Sequence, residues 1–268
     1  ASLPWLVFIH GGPGLNCAVL ESLIENQNLF DQLNCNVLFY DQRGCGRSKA
    51  VRDIVLHADN VMDLGSVIVT FRDHHDVIPA AIVGHSYGAK LLFDYYQQSD
   101  STIPGIFIAT APSTLTPRVN NMLLDLYYLK SNDEVKYEEV LDVFNDFNDK
   151  DVWAITEKLS EVFHKNESRA NFYWANMTWK KRVGLLEKKL SLPLNRAIFT
   201  SVRRDMYSAG SDQSVAIDSL DNTRYLWING FHDLVMNGAS TLVSNDANTK
   251  VFYKSAHYPH VEEHERFC

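Results

Sequence analysis

Cysteine, basic charge and long apolar runs are all scarce in this chain, and each scarcity excludes something. The four cysteines, Cys17, Cys35, Cys45 and Cys268, form no Cys-x-x-Cys pair. They are too sparse for a disulfide framework and read as free thiols in a reducing compartment. No cluster of His, Cys and carboxylate residues has metal-ligand spacing, so no metal is expected. Apolar runs stop well short of the about 18 residues that a membrane span requires. No basic-then-apolar leader opens the sequence, and the reading is a cytoplasmic protein with no membrane partner. Lys and Arg number 25 against 33 Asp and Glu, a formal charge of −8, which disfavours nucleic acid and anionic surfaces. Glycine-rich loops of the phosphate-cradling and dinucleotide layouts are also missing, so no cofactor is expected. A small molecule or a short peptide remains as the partner.

The chain does contain short, continuous apolar runs: Trp5 to Ile9, Val37 to Tyr40, Ala80 to Val83, Gly105 to Ala109, Tyr225 to Ile228 and Val251 to Tyr253. Continuous rather than alternating apolarity marks strands covered on both faces, hence a parallel sheet with helical crossovers. The expected fold class is α/β, with a doubly wound, mostly parallel sheet. The strand–helix rhythm breaks over residues 112–204. There Tyr137, Val140, Leu141, Phe144 and Phe147 fall at helical spacing, as do Val152, Ile155, Leu159, Val162 and Phe163, which predicts a helical insert. The core is then 1–111 with 205–268, and the insert is 112–204.

Gly84-His85-Ser86-Tyr87-Gly88 lies between the third apolar run and the helical pattern that begins at Ala89. Gly-x-Ser-x-Gly between strand and helix is a nucleophile elbow, whose strained turn lifts the serine oxygen toward substrate. A serine hydroxyl is a weak nucleophile at neutral pH. It needs a base within hydrogen-bond reach and a carboxylate to orient that base, in the chain order serine, acid, histidine. Asp233 follows the strand ending at Ile228, and His257 follows the last strand, which places both at carboxyl ends of strands. A helix-capping role for Asp233 and the nearby His260 are the competing assignments. The developing oxyanion needs backbone donors, and the loop His10-Gly11-Gly12-Pro13-Gly14 with the elbow supplies Gly12 and Tyr87. Asp41-Gln42-Arg43-Gly44-Cys45-Gly46-Arg47-Ser48 reads as a structural brace of buried Asp and Arg bonds. Phe172, Tyr173, Trp174 and Trp179 either line an apolar substrate pocket or pack the insert onto the core.

Taken together, these motifs resemble the α/β-hydrolase superfamily and, within it, the proline iminopeptidase (prolyl aminopeptidase) branch. The resemblance rests on His10 to Gly14, Asp41 to Ser48, Gly84 to Gly88, Gly230-x-x-Asp233 and Ala256 to Glu262. It implies an acyl-enzyme mechanism, the triad Ser86, Asp233 and His257, and a helical cap inserted after the sixth family strand. Family members hold the substrate's amino end with cap glutamates, one of them after a tryptophan. Here Ala175 follows Trp174, so exopeptidase activity is expected to weaken unless Glu157, Glu161 or another acidic cap residue substitutes. A carboxylesterase or lactonase acting on small apolar esters is the alternative within the enzymes. A binding module without turnover is the alternative outside them.

Overall fold

The computed structural model describes residues 2–27, 29, 32–48, 54–110, 115–145, 172–208, 224–236 and 248–268. Six strands, β1 (Trp5–Ile9), β2 (Asn36–Tyr40), β3 (Ala81–His85), β4 (Gly105–Ile108), β5 (Tyr225–Gly230) and β6 (Thr249–Phe252), form one sheet in the order β2-β1-β3-β4-β5-β6. Every neighbouring pair in it is parallel. The strand order reverses beside β1, so the carboxyl ends of β1 and β3 flank a switch point where a crevice opens.

Successive side chains on each strand enter opposite cores. Val7, Ile9, Ile82, Phe107 and Trp227 point to one face. Phe8, Val83, Ile108 and Ile228 point to the other. The first face is covered by α2 (His57–His75) and α3 (Tyr87–Gln98) through Val61, Leu64, Ile68, Leu91 and Leu92. The second is covered by α1 (Ala18–Gln27) through Leu20 and Leu23. Each of these residues, fully buried, contributes about 1.5–3 kcal/mol of transfer free energy, which is why continuous apolar runs were required on the strands.

The strands run slightly differently from the apolar runs. β3 begins after Ala80 and continues through Gly84 and His85, β5 extends to Gly230, and β6 begins at Thr249 and ends before Tyr253. Ladder pairing sets these limits rather than side-chain polarity: Ile108 O accepts from Ser86 N at 2.8 Å and Phe252 O from Phe231 N at 2.8 Å.

Between β4 and β5 the chain forms α4 (Leu115–Asn132), α5 (Glu134–Asn145), α6 (Met177–Leu190) and α7 (Arg196–Ser208). The spacing that predicted a helix around Tyr137 and Val140 falls on α5, where Val140 is buried. The second run, Val152 to Phe163, lies outside the described residues, as do Phe147, Glu157 and Glu161. α6 starts where Asn176 Oδ1 accepts from Thr178 N and Trp179 N, satisfying two first-turn amides. The segment between α6 and α7 is fastened to the core loops: Asn195 N donates to Gly14 O at 2.9 Å, Asn195 Nδ2 to Gly44 O at 2.8 Å, and Asn16 Nδ2 to Leu192 O at 2.9 Å. Ile198 and Val202 of α7 join the first core. Two short helices, α8 (Pro259–Glu262) and α9 (His264–Phe267), close the described chain.

Candidate active site

Ser86 sits between β3 and α3 with φ 54° and ψ −117°, a region that a non-glycine residue occupies only at a cost of order 1–3 kcal/mol. The turn is tight enough that a Cβ on Gly84 would lie 2.5 Å from Gly88 O, the steric reason for glycine at that end of the motif. Tyr87 opens α3, so its N–H lies in the first turn, where no intrahelical acceptor exists. The loop after β1 lies against this elbow: a Cβ on Gly11 would come within 3.2 Å of Ser86 Cβ. Gly12, next in that loop, has φ +130°. The two sequence-predicted donors, Gly12 and Tyr87, therefore belong to segments that meet at Ser86.

Asp233 and His257 come together on adjacent loops. His257 Nδ1 and Asp233 Oδ2 are 2.9 Å apart, and both residues are buried. A carboxylate accepts only, so Nδ1 carries the proton and Nε2 is left with its lone pair. The other carboxylate oxygen of Asp233 accepts from Val235 N at 3.0 Å and Met236 N at 3.1 Å. Asp233 thus bonds the imidazole through one oxygen and two backbone amides of its own turn through the other. Among the hydrogen bonds of the described residues, none joins the Ser86 hydroxyl to the imidazole. Such contacts commonly tighten only when substrate binds.

Neutral histidines pack around His257. His85 Nε2 donates to His257 O at 2.8 Å, and the two rings lie 5.0 Å apart. Burial, reinforced by His260 and His257, holds the His85 pKa well below its ordinary value. His260 does not face Asp233; it sits in an aromatic box with His85 and Phe8, 4.7 and 5.9 Å between ring centres. On the opposite side, His10 Nε2 accepts from Gln42 N at 3.0 Å, and Gln42 Nε2 donates to His10 O at 2.8 Å.

The Asp41-to-Ser48 stretch braces these loops. Asp41 Oδ1 accepts from Cys17 N at 2.8 Å, and Oδ2 accepts from Arg47 N at 2.8 Å and Arg47 Nε at 3.1 Å. Burial alone would push its carboxyl up, but the Arg47 and Cys17 amides and the Arg47 guanidinium together hold it below the ordinary range.

The aromatic residues ahead of α6 divide their work. Tyr173 stands edge-on to the His257 imidazole at 5.1 Å and 90°. Trp174 lies flat on Tyr258 at 4.3 Å and 17°, and Phe172 contacts Tyr128 at 6.4 Å. Two features were not visible in the spacing of residues. Glu262 accepts from three backbone amides, and the Tyr87 hydroxyl is held by Asn60 Nδ2 at 2.8 Å and His57 Nδ1 at 3.1 Å, with His57 Nε2 2.6 Å from Asp94. Glu262 carried one signal, an acid near a helix end, which names no partner, and the Tyr87 network carried none.

A cavity of about 620 Å³ beside β2, lined in part by Leu38, Tyr40 and Phe71, includes none of Ser86, Asp233 and His257. Two of its polar lining groups, Arg43 and Asp63, already pair with each other at 2.8 and 2.5 Å. Among the described residues, no group of His, Cys, Asp and Glu is arranged to hold a metal ion, and no helix is long and apolar enough to cross a membrane.

Known proteins are similar to this chain in sequence over part of its length and in architecture over nearly all of it. A proline iminopeptidase of Saccharolobus solfataricus is 33% identical over 121 residues, 44% of this chain and 36% of that protein. One from Thermoplasma volcanium is 29% identical over 143 residues, 52% of this chain and 46% of that protein. The chain thus matches less than half the length of these relatives. Among solved structures, a proline iminopeptidase-related protein from Thermus thermophilus superposes with a TM-score of 0.67 at 18% identity, covering 99% of this chain and 86% of that one. An esterase from Exiguobacterium antarcticum superposes at 0.59 and 17% identity, covering 100% and 90%. The family model for the alpha/beta hydrolase fold matches residues 4–263, and the chain belongs to that family.

Proposed function

We propose that the protein is a serine hydrolase that cleaves an amide or ester bond of a small apolar or N-terminal prolyl substrate through an acyl-enzyme. The observation that carries this reading is the Asp233–His257 hydrogen bond of 2.9 Å on loops beside a serine held at φ 54°. His257 Nε2 takes the Ser86 proton as Oγ attacks the carbonyl carbon. The Gly12 and Tyr87 amides hold the oxyanion, and Asp233 stabilises the imidazolium. The imidazolium then returns the proton to the leaving amine or alcohol. Water, deprotonated by the same nitrogen, attacks the acyl carbon and regenerates Ser86. Residues 112–204 form a cap over a core of 1–111 and 205–268, and Tyr173, Trp174 and Phe172 lie at the substrate side of that cap. The reading extends to a cytoplasmic enzyme acting on small molecules or short peptides.

The proline iminopeptidases among its relatives favour the amide substrate. One observation favours the ester: Ala175 follows Trp174, and the carboxylate beside it, Glu262, is occupied by backbone amides. A paired assay decides between them. Turnover of proline p-nitroanilide supports the iminopeptidase reading, and turnover of short p-nitrophenyl esters with none of the anilide replaces it with a carboxylesterase. Turnover of neither, by a folded protein, leaves a binding module.

A further inference from the structure

Three backbone amides from two distant segments converge on one buried side chain. Glu262 Oε2 accepts from Ala175 N at 2.8 Å and from Asn176 N at 2.6 Å, and Oε1 accepts from Ala256 N at 2.8 Å. Ala175 and Asn176 immediately precede α6 in the helical insert, and Ala256 immediately precedes His257. A return bond runs between the same segments, from His257 N to Tyr173 O at 3.1 Å. The Trp174–Tyr258 stack and the Tyr173–His257 edge contact lie alongside it. The strip 173–176 is therefore laced to the strip 256–258 from both directions, and among the described residues Glu262 is the side chain whose hydrogen bonds reach both. A buried carboxylate is costly unless its oxygens are satisfied. Here that need is met only while both strips are in place.

We propose that Glu262 is a positioning residue that seats the insert segment 173–176 and the base His257 as a single unit, so that the imidazole is set for proton transfer only when the insert is docked. This rests on the serine hydrolase reading above. Both oxygens of Glu262 are engaged by backbone amides, so it acts through the backbone that carries His257. A displacement of about 1 Å in a catalytic group costs on the order of 100-fold in rate, so loosening this strip lowers turnover more than substrate affinity.

Glu262→Gln preserves the side-chain shape but converts one terminal oxygen into an N–H donor. With all three partners donating, every orientation of the amide faces at least one of them donor to donor. Glu262→Asp keeps the charge but is one methylene too short to span both strips. Glu265→Gln, on the exposed face of α9, serves as the control. Kinetics are read on whichever anilide or ester the wild type turns over, at a temperature where thermal melts show each variant folded. Glu262→Gln and Glu262→Asp are expected to lose about 10- to 100-fold in kcat with KM changed less than about threefold, while Glu265→Gln stays at the wild-type level. A folded Glu262 variant with kcat within about twofold of wild type overturns the proposal and leaves Glu262 a purely structural residue. Hydrogen exchange of the wild type gives a second test that needs no variant. The Ala175, Asn176 and Ala256 amides should open together, with protection agreeing within about threefold. Cap-side amides that exchange orders of magnitude faster than Ala256 also overturn it. A wild type that turns over neither substrate removes the hydrolase reading itself, and the exchange test still reports on the coupling.

Discussion

Replacing His260 by phenylalanine should make folding markedly less sensitive to acid between about pH 7.5 and about pH 5. His260 is 3% exposed, is enclosed by the rings of Phe8, His85, Tyr258 and Phe267, and has no hydrogen-bond partner for Nδ1. Burial, and then the neighbouring His257, pushes its pKa from 6.5 down to about 3. The sign follows from linkage: with the folded value below the unfolded one, the contribution to stability is complete above about pH 6.5 and is lost as pH falls, because only the unfolded chain takes up the proton. At about pH 5 the unfolded state is favoured by one and a half pH units at roughly 1.36 kcal/mol each, or about 2 kcal/mol. A folded value one unit higher leaves that figure nearly unchanged. Domains of this kind have about 5–15 kcal/mol of stability, so the loss is large. His85 adds an effect of the same sign, and because burial is its first cause and His260 only reinforces it, most of that effect persists in the variant and drops out of the difference. Urea unfolding of wild type and His260→Phe at the two pH values measures it. The stability gap should move by about 2 kcal/mol in the variant's favour on acidification, whereas any steric cost of the larger ring is the same at both. A gap that holds constant to within about 0.5 kcal/mol would refute the reasoning.

Asp41→Asn should destabilise the protein by about 2 kcal/mol at neutral pH, since Arg47 and Cys17 lose a charged acceptor. Because the Asp41 carboxyl is held low in the folded state, its contribution is present above the ordinary value near 4 and disappears as pH falls through the depressed one. The gap between wild type and Asp41→Asn in unfolding free energy should therefore narrow below about pH 4. Trp227→Ala removes a 2%-exposed ring stacked on Phe107 at 4.3 Å and 15°, and calorimetry should show a loss of about 3–5 kcal/mol. Asp233→Asn should leave the fold intact and lower kcat by on the order of 10⁴-fold, the effect of presenting the wrong imidazole tautomer; a loss under tenfold would mean that Asp233 only caps its turn.

Apolar continuity revealed the sheet because every strand is covered on both faces, and Val7, Phe8 and Ile9 alternate between two cores rather than between core and water. Strand ends were less legible, since ladder partners such as Ile108 for Ser86 belong to a different part of the chain. Ser86, Asp233 and His257 stand out in the sequence because each follows the end of a strand, a position that local pattern marks. Glu262 could not: its partners Ala175 and Asn176 lie 87 and 86 residues away and contribute only backbone atoms, which leave no trace in residue type. His260 read as a rival base because a histidine's chemistry is visible in sequence and its partners are not: both rings are buried, but Asp233 meets His257 while His260 packs against Phe8 and His85.

Labelling with a fluorophosphonate probe, followed by peptide mapping, tests the central claim most directly. The adduct should form on Ser86, with labelling abolished in Ser86→Ala and slowed by orders of magnitude in His257→Ala. A folded wild type that takes up no probe, or labelling at Ser86 that proceeds unchanged without the imidazole, would contradict it.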